Sequence, residues 1–225
     1  MQLQRLHEDV WTASAPQTML GLHLGTRMTV VRLPSGGLWV HSPIAVDEEG
    51  HEALRDLGTV EHIVAPNLYH HLHVGPMAAA HPGAAVHARP RLRKKRPDLH
   101  IDADLGDAAP SAWGGALTPV HIGGTMLDEV VFLHAPSRLL ISCDLVENFT
   151  SCPHLLTRMY LKVGGIYQKP GLSRPLRLVF RDRPRAREAI DYIIGLPFDG
   201  IVLSHGDLIT EGGPDVVAAS YAWLG

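Results

Sequence analysis

The amino-acid sequence predicts an α/β fold made of stacked layers of sheet and helix. Two β-α-β units follow one another in the first half of the chain, and strand and helix patterns alternate again towards the C-terminus. The chain has 225 residues, of which 45% are hydrophobic and 19% charged, the balance of an ordinary globular protein with a sizeable core. We therefore expect a single domain over residues 1–225.

The first half contains a hairpin and the two β-α-β units. Residues 28–42 place β-branched and aromatic side chains on both sides of a Pro-Ser-Gly-Gly turn, a pattern typical of a hairpin. Residues 47–57 open with three acids, which favours a helix N-terminus, and carry apolar residues at helical spacing until Gly58. The other elements expected here are a strand at 60–65, a helix at 76–80 and a strand at 85–88.

The second half opens with residues 102–115, which are rich in Asp, Ala, Pro and Gly without a clear period, so we predict a loop there. Three β-rich runs separated by Gly-Gly and Pro-Ser turns should then pair as an antiparallel sheet, at 116–121, 129–134 and 139–143. The last predicted elements are helices at 154–163 and 184–194, a buried strand at 200–204 and a helix at 214–224.

The charge balance and the cysteines exclude several classes of protein. The net charge of −3 at pH 7 provides no overall field that would attract nucleic acid or an anionic membrane, so any anion-binding patch must be local. The N-terminal segment lacks both the apolar core of a signal peptide and the length of a membrane span, so we expect a cytoplasmic protein without a membrane partner. Cys143 and Cys152 do not form a CxxC pair and are expected to be free thiols.

The 15 histidines are the unusual part of the composition, because imidazole is the commonest metal ligand. Several strand patterns end on side chains that can bind a metal ion, and strand ends in layered α/β folds converge on one edge. Imidazole and carboxylate without cysteine suit zinc, iron or manganese and leave room for a water molecule. The candidate ligands are His70 and His71 after VEHIVA, His121 after ALTPV, Asp144 after LLISC and His205 after GIVLS.

Three segments carry a resemblance to a known family: TPVHIGGT at 118–125, LISCD at 140–144 and VLSHG at 202–206. Together with the order of elements, they resemble the metallo-β-lactamase superfamily over nearly the whole chain. The resemblance implies a four-layer αβ/βα sandwich with a site at one edge. It also implies that His121, Asp144 and His205 are metal ligands, with Asp144 in the place of the family's bridging aspartate.

The principal metal motif of that superfamily, HxHxDH, is degenerate in this chain. It falls on residues 66–71, where Pro66 and Leu68 occupy the first two histidine positions, His70 occupies the aspartate position and only His71 agrees. The strand end that usually reads DTG is His-Ser-Pro at 41–43. The pattern is similar to a bacterial branch of the superfamily with this degenerate motif.

The two lost imidazoles predict a mononuclear site. His121 is left alone in the first metal position, whereas the second keeps His71, Asp144 and His205 and gains His70 as the weaker candidate for a fourth ligand. We expect one divalent ion, zinc first, with iron or manganese as alternatives. Each of these side chains alone could merely cap a strand end, but their joint occurrence in the matching order favours metal binding.

The function expected from this site is that of a metal-dependent hydrolase acting on a small ester, lactone, thioester or phosphoester. In this hypothesis Asp144 takes part in catalysis as a ligand, and His121 acts either as a ligand or as the general acid and base. The alternative is a non-catalytic binding or interaction domain that kept the fold and lost the enzymatic site, which the two missing histidines favour. We expect a small-molecule partner, and the sequence identifies neither the substrate nor the oligomeric state.

Two basic regions invite other interpretations. Residues 89–96 are rich in arginine and lysine, and some metallo-β-lactamase-like enzymes cut RNA, but no aromatic residues are interleaved to stack on bases. A second group of arginines lies between positions 174 and 187, where recognition of a phosphate or carboxylate is the alternative to a solvated surface. For both regions the solvated surface is the favoured interpretation, and we expect no nucleic-acid partner.

Overall fold

The structure is a computed structural model that describes residues 1–225. The helices are α1 (Glu48–Leu57), α2 (Val74–Ala80), α3 (Leu92–Lys95), α4 (Leu155–Gly164), α5 (Arg183–Ile194) and α6 (Gly213–Tyr221), with short 3-10 helices at Ser111–Trp113, Pro175–Val179 and Ala222–Leu224. The strands are β1 (Gln4–His7), β2 (Val10–Ala15), β3 (Thr18–Met19), β4 (Leu22–His23), β5 (Thr26–Arg32), β6 (Leu38–His41), β7 (Val60–Ala65), β8 (Ala85–Ala88), β9 (Ala103–Asp104), β10 (Leu117–His121), β11 (Val130–His134), β12 (Leu139–Ile141) and β13 (Gly200–Val202).

The strands form two main sheets and one small hairpin. The larger sheet has seven strands in the order β1-β2-β5-β6-β7-β8-β9, antiparallel from β1 to β6 and parallel from β6 to β9. The smaller sheet has the order β10-β11-β12-β13, in which β13 pairs parallel to β12. Strands β3 and β4 pair only with each other.

Helices α1, α2 and α3 cover the outer face of the seven-stranded sheet. Side chains along a strand alternate between its two faces, and Met28 of β5 and Val40 of β6 point towards this helical layer. There they join Leu54, Met77 and Leu92, one from each helix, in a continuous buried core.

The inner faces of the two sheets meet in a second core. Trp39 of β6 packs edge-on against Phe132 of β11 with ring centroids 4.8 Å apart, and Trp113 lies edge-on to both rings. Ile141 of β12 and Val202 of β13 belong to the same cluster. Each aromatic pair contributes about 0.5–1.5 kcal/mol beyond the area that it buries, so this cluster holds the sheets together.

Helices α5 and α6 cover the outer face of the four-stranded sheet. Ile190 of α5 and Val217 of α6 pack with Leu133 of β11 and Ile201 of β13 in a third buried core. The layers therefore follow the order helix, sheet, sheet, helix. This arrangement confirms the predicted four-layer αβ/βα sandwich.

The local signals of helix and strand are borne out at most of the predicted elements. Helix α1 begins after Asp47, whose carboxylate accepts a hydrogen bond from the N–H of Gly50 at 2.9 Å, and it ends where the N–H of Gly58 donates to the carbonyl of Leu54. Strands β7 and β8 have the predicted bounds.

No helix combines the length and the apolar composition needed to cross a bilayer. Both cysteines are free and buried.

Several N-terminal elements have no counterpart in the sequence prediction. Strand β1 is short and half-exposed. Strand β2 is held in its extended conformation by pairing along its whole length with β5, from Val10 opposite Val31 to Ala15 opposite Thr26. The predicted loop at 102–115 also contains β9, which extends the parallel part of the large sheet through its pairing with β8. These elements depend on long-range pairing, which a local pattern does not reveal.

Candidate metal centre

Three polar side chains meet where strands of both sheets end. His70 lies in the turn after β7, Asp144 follows β12 and His205 follows β13, and one potential ligand atom from each lies within 4.8 Å of the others. The Nε2 atoms of the two histidines are 3.2 Å apart. The Asp144 carboxylate has Oδ2 at 3.5 Å from His70 Nε2 and Oδ1 at 3.4 Å from His205 Nε2.

The orientation of His205 is determined by contacts on the far side of its ring. Its Nδ1 lies 2.8 Å from the carbonyl oxygen of Gly25, an acceptor only, so Nδ1 carries the proton and Nε2 of the neutral ring presents a lone pair to the cluster. The next residue, Gly206, has φ +91°, and a Cβ there would lie 1.9 Å from the Asn148 carbonyl oxygen. Arg27 of β5 donates to the Gly206 carbonyl at 2.7 Å. Glycine at this position lets the chain turn closely enough for the His205 ring to point towards the cluster.

The orientation of His70 comes from a tight turn and a serine. The side-chain oxygen of Asn67 accepts hydrogen bonds from the N–H groups of Tyr69 and His70, both at 2.8 Å, which closes the turn after β7. The amide nitrogen of Asn67 donates to Asp144 Oδ2 at 2.7 Å. On the far side of the His70 ring, Nδ1 lies 2.8 Å from the hydroxyl oxygen of Ser42. The turn therefore ties His70 and Asp144 together.

The electrostatics of the cluster favour an ionised carboxylate. Burial alone would raise the pKa of Asp144, but the neighbouring His70 and His205 hold it well below its usual range. Burial also acts to lower the pKa of His205, but Asp144, Glu147 and the Gly25 carbonyl together raise it. Behind the cluster, burial and the charge of Asp144 raise the pKa of Glu129 to about 8. The Glu129 carboxyl accepts from the backbone N–H groups of Cys143 at 2.6 Å and Asp144 at 3.1 Å.

These three side chains suit a tetrahedrally coordinated divalent ion. Ligand atoms about 2.0–2.1 Å from a tetrahedral zinc ion are about 3.3–3.4 Å from one another. Here the two Nε2 atoms are 3.2 Å apart, and the carboxylate places Oδ2 3.5 Å from one of them and Oδ1 3.4 Å from the other. Two imidazoles and one carboxylate are also a common donor set of catalytic zinc sites, in which the fourth position stays open. The residues present therefore fit one ion with a free coordination position.

Of the two adjacent histidines, the structure places His70 next to Asp144 and His205. We predicted His71 as the ligand and His70 as the weaker candidate, but the Asn67 turn directs His70 to Asp144 and His205. The Nδ1 atom of His71 instead lies 3.0 Å from the guanidinium of Arg96. Burial and the nearby charges of Lys95 and Arg96 lower the pKa of His71 to about 4. Successive side chains diverge at this turn, so only one of the two reaches the cluster.

His121 lies outside the cluster as well. Its Nε2 is 2.8 Å from Asp128 Oδ1. Asp128 also forms an ion pair with Arg89, whose Nε is 3.3 Å from the same oxygen. These contacts bind His121 to the loop before β11 and to the large sheet. The structure thus brings together His70, Asp144 and His205 of the five predicted site residues and leaves His71 and His121 beside them.

A cavity of about 440 Å³ opens over the cluster. Its volume lies within the range of about 300–1,000 Å³ that is usual for small-molecule sites. His71 lines it, as does Lys95, whose ammonium lies 4.5 Å from the centre of the Tyr69 ring. Much of the remaining wall is apolar and is formed by Met19, Leu24, Pro43, Leu127, Leu176 and Val179.

Four residues that shape the site are absent from the sequence prediction, namely Gly25, Ser42, Asn67 and Glu129. Asn67 was available as a signal, because an asparagine shortly after the end of a strand often closes a turn with its side chain. Ser42 follows β6 next to the strand ends that the prediction used. Gly25 and Glu129 act through a backbone carbonyl and a buried carboxyl, and no sequence signal assigns them to the site.

Comparisons with solved structures agree with this fold. The chain aligns with a metallo-beta-lactamase from Pontibacter korlensis over 99% of its own length and 98% of that chain, with 16% identity and a TM-score of 0.69. For FIM-1 from Pseudomonas aeruginosa, solved in a mono-zinc form, the coverage is 99% and 95%, the identity 12% and the TM-score 0.68. For a metallo-beta-lactamase from Hirschia baltica the coverage is 99% and 96%, the identity 11% and the TM-score 0.66.

Comparison of the sequence itself identifies relatives over only part of the chain. A family model described as a domain of unknown function, DUF4336, matches residues 7–92. No curated protein matches the chain. The structural likeness at 11–16% identity shows the fold alone, and a fold does not determine chemistry. The chain therefore has the metallo-β-lactamase fold, and its chemistry must be argued from the site.

Proposed function

We propose that this protein is a metal-dependent hydrolase that holds one divalent ion through His70, Asp144 and His205. The observation that carries the proposal is the convergence of two imidazole Nε2 atoms and one carboxylate within 3.2–3.5 Å. The opposite ring nitrogens are held by Ser42 and the Gly25 carbonyl, contacts of the kind that orient metal-binding histidines. The alternative is a non-catalytic binding domain.

Zinc is the ion that this donor set suits best, with iron or manganese as alternatives. Two neutral imidazoles and one anionic carboxylate leave a divalent ion with a net positive charge. The first metal position of the fold is filled by Pro66 and Leu68, whose side chains have no donor atom, and His121 there is paired with Asp128. One ion for each chain is therefore the proposed stoichiometry.

The chemistry divides between the ion and the protein. A bound divalent ion would polarise the substrate as a Lewis acid and lower the pKa of water. The Nδ1 of His71 accepts from Arg96, so its Nε2 carries the proton and can donate a hydrogen bond to a substrate oxygen in the cavity. Apolar walls limit the access of water and strengthen these interactions. Small esters, lactones, thioesters and phosphoesters are the substrate classes that such a site serves.

Metal analysis of the purified protein tests the proposal. We expect about one equivalent of zinc, iron or manganese, and we expect His70→Ala and His205→Ala to lose it. His100, with 87% of its side chain exposed, provides the matched control, and His100→Ala should keep the wild-type content. A protein without metal, whose melting temperature does not respond to added zinc, manganese or ferrous iron, would favour the binding domain. Two equivalents would contradict the mononuclear site.

A hydrolysis screen then tests the activity itself. The metal-loaded protein should cleave a representative of at least one of four classes, namely nitrophenyl esters, thioesters, lactones and phosphoesters. The same preparation of His205→Ala should be inactive on that substrate. A loaded protein that cleaves none of them would leave metal binding intact and refute the assignment as a hydrolase of these substrates.

A further inference from the structure

The outward face of α4 is apolar although nothing in the chain covers it. The inward side of this helix is formed by Thr157, Leu161 and Gly164, which are buried. Leu155, Met159 and Val163 follow one another at intervals of four residues and therefore lie on one face of the helix. Their exposed fractions are 65%, 56% and 71%, and the neighbouring Leu156 is 59% exposed. Most apolar side chains of an α-helix in a globular protein face a core, and a contiguous exposed apolar face is typical of an interaction site.

The tip of the β3–β4 hairpin extends the same surface. Leu20 is 94% exposed and has φ +50°, a conformation that favours Gly or Asn, so neither solvent nor the turn favours leucine here. The N–H of His23 on this hairpin donates to the Thr157 hydroxyl of α4 at 2.9 Å, and a Cβ built on the adjacent Gly21 would lie 3.6 Å from the Leu156 side chain, so the hairpin packs against α4. Met19 on the same hairpin is also exposed. The docking face is defined here as Met19, Leu20, Leu155, Leu156, Met159 and Val163.

The segment of the chain that contains α4 carries charge of only one sign. Residues 148–181 contain no aspartate or glutamate, in a protein whose net charge is −3. Elsewhere in the chain, arginines such as Arg138 and Arg187 pair with carboxylates. The segment contains six cations, none of which has a carboxylate within 4.0 Å: Arg158, Lys162, Lys169, Arg174, Arg177 and Arg181.

Two of these cations belong to α4 itself. Arg158 and Lys162 are four residues apart and border the apolar face along one side of the helix. Arg174 reaches the C-terminal end of α4, where it donates to the carbonyl of Val163 at 3.2 Å. An apolar helix face bordered by cations is the pattern of helices that lie in the interface of an anionic membrane.

We propose that the docking face binds the surface of an anionic phospholipid bilayer, with Leu20 and the α4 side chains among the acyl chains and the cations at the headgroups. A second copy of this chain fits less well, because a symmetric contact through α4 would bring Arg158 and Lys162 of both copies together. The net negative charge of the protein does not oppose binding, since interactions beyond about 8 Å are screened at physiological ionic strength.

The position of the cavity gives this surface a functional meaning. Met19 belongs to the docking face and also lines the cavity over the metal cluster. Leu176 and Val179 line the same cavity and belong to the acid-free segment, next to the exposed Leu178. A chain bound through the docking face therefore holds the cavity close to the lipid surface.

Vesicle flotation tests the proposal with the full chain. We expect the protein to bind vesicles of phosphatidylcholine and phosphatidylglycerol in equal parts, to bind phosphatidylcholine alone at least about tenfold more weakly, and to lose binding at high salt. Equal binding to both kinds of vesicle, or no binding to either, would overturn it. The metal-free protein should bind as well as the loaded protein, so failure of the proposed hydrolase leaves this test unaffected.

Two double variants locate the surface. Leu20→Ser with Met159→Ser should lower the vesicle partition coefficient at least about tenfold, and Arg158→Glu with Lys162→Glu should do the same. The matched controls are Tyr192→Ser on α5 and Arg55→Glu on α1, both at exposed positions, and neither should change binding. All variants must keep the wild-type melting temperature.

Two outcomes of the variant series would overturn the proposal. If the serine variant binds as tightly as wild type, the apolar face takes no part and the attraction is only electrostatic. If sedimentation in the absence of lipid shows a dimer that Met159→Ser dissociates, the face is instead an interface between two copies of the chain.

Discussion

The Nε2 atoms of His70 and His205 face each other at 3.2 Å. In the neutral form of His205, Nδ1 donates to the Gly25 carbonyl and Nε2 is an acceptor, which a proton on Nε2 of His70 satisfies when no ion is bound. An ion at the cluster requires that proton to move to Nδ1 of His70, from which it donates a hydrogen bond to the Ser42 hydroxyl oxygen. Ser42 can serve both states, since a hydroxyl both donates and accepts.

Replacement of Ser42 tests this role. Ser42→Ala should leave the Nδ1 proton of His70 without an acceptor in the metal-bound state and weaken metal affinity by about 10–100-fold. The affinity is measured by competition with a chromophoric chelator. Ser142 is the matched control, because its buried hydroxyl has no hydrogen-bond partner, and Ser142→Ala should keep the wild-type affinity. Equal affinities for both variants and wild type would remove Ser42 from the metal-binding network.

The charge of Asp144 is the second test. Asp144→Asn keeps the shape of the side chain and removes the only anionic group among the three proposed ligands. We expect metal affinity to fall by more than about 100-fold, beyond the effect of losing an outer hydrogen bond, while circular dichroism shows an intact fold. Full metal occupancy in this variant would show that Asp144 is not a ligand.

The close turn at Gly206 predicts a large effect of a single methyl group. Gly206→Ala places a Cβ 1.9 Å from the Asn148 carbonyl oxygen and should reduce the free energy of unfolding by at least about 2 kcal/mol. Gly212 also has a positive φ, of 68°, but a Cβ there meets no atom within 4 Å, so Gly212→Ala should cost only about 1–2 kcal/mol. Urea unfolding of both variants measures the difference. Equal losses would mean that the chain near His205 relaxes freely.

Buried histidines predict how stability depends on pH. His87 is 4% exposed, and its Nε2 lies 3.0 Å from Nδ1 of His62. Burial and the charge of His62 lower the pKa of His87 to about 4, against about 6.5 in an unfolded chain. Between these values the unfolded state binds more protons. The stability that His87 contributes is therefore complete above about pH 6.5 and is lost as the pH falls towards about 4.

Urea unfolding of the metal-free protein at a series of pH values checks this. Wild type should lose stability between about pH 6.5 and 4, and His87→Gln should lose about 1–3 kcal/mol less over the same interval. His100→Gln, at an exposed position, should follow the wild-type curve. A His87→Gln variant with the wild-type slope would assign the loss to other groups.

The elements with strong local signals could be predicted from the sequence, whereas the orientation of individual side chains in the folded protein could not. Helix α1 has an acidic start, a capping aspartate and a terminal glycine within one short segment, so its bounds depend on neighbouring residues. The choice between His70 and His71 depends on the Asn67 side chain, which also holds Asp144 from the other sheet. That second contact exists only after the sheets have met, and no local pattern contains it.

The same limit applies to the docking face. The sequence prediction interpreted the arginines between positions 174 and 187 as a solvated surface and the net charge as evidence against a membrane partner. The charge of the whole chain hides the acid-free segment, and helical spacing alone cannot distinguish an apolar face that is covered from one that is exposed. The exposure of Leu155, Met159 and Val163 in the folded chain makes that distinction.

The contacts that build the metal cluster join residues far apart in the chain, which has a consequence for the order of folding. Asn67 and Asp144 are 77 positions apart, His70 and His205 are 135 apart, and Gly25 and His205 are 180 apart. Contacts of high sequence separation close the largest loops and form slowly. During refolding, high metal affinity should therefore arise after most of the helical signal has returned, and a nascent chain gains it only once β13 has joined the smaller sheet.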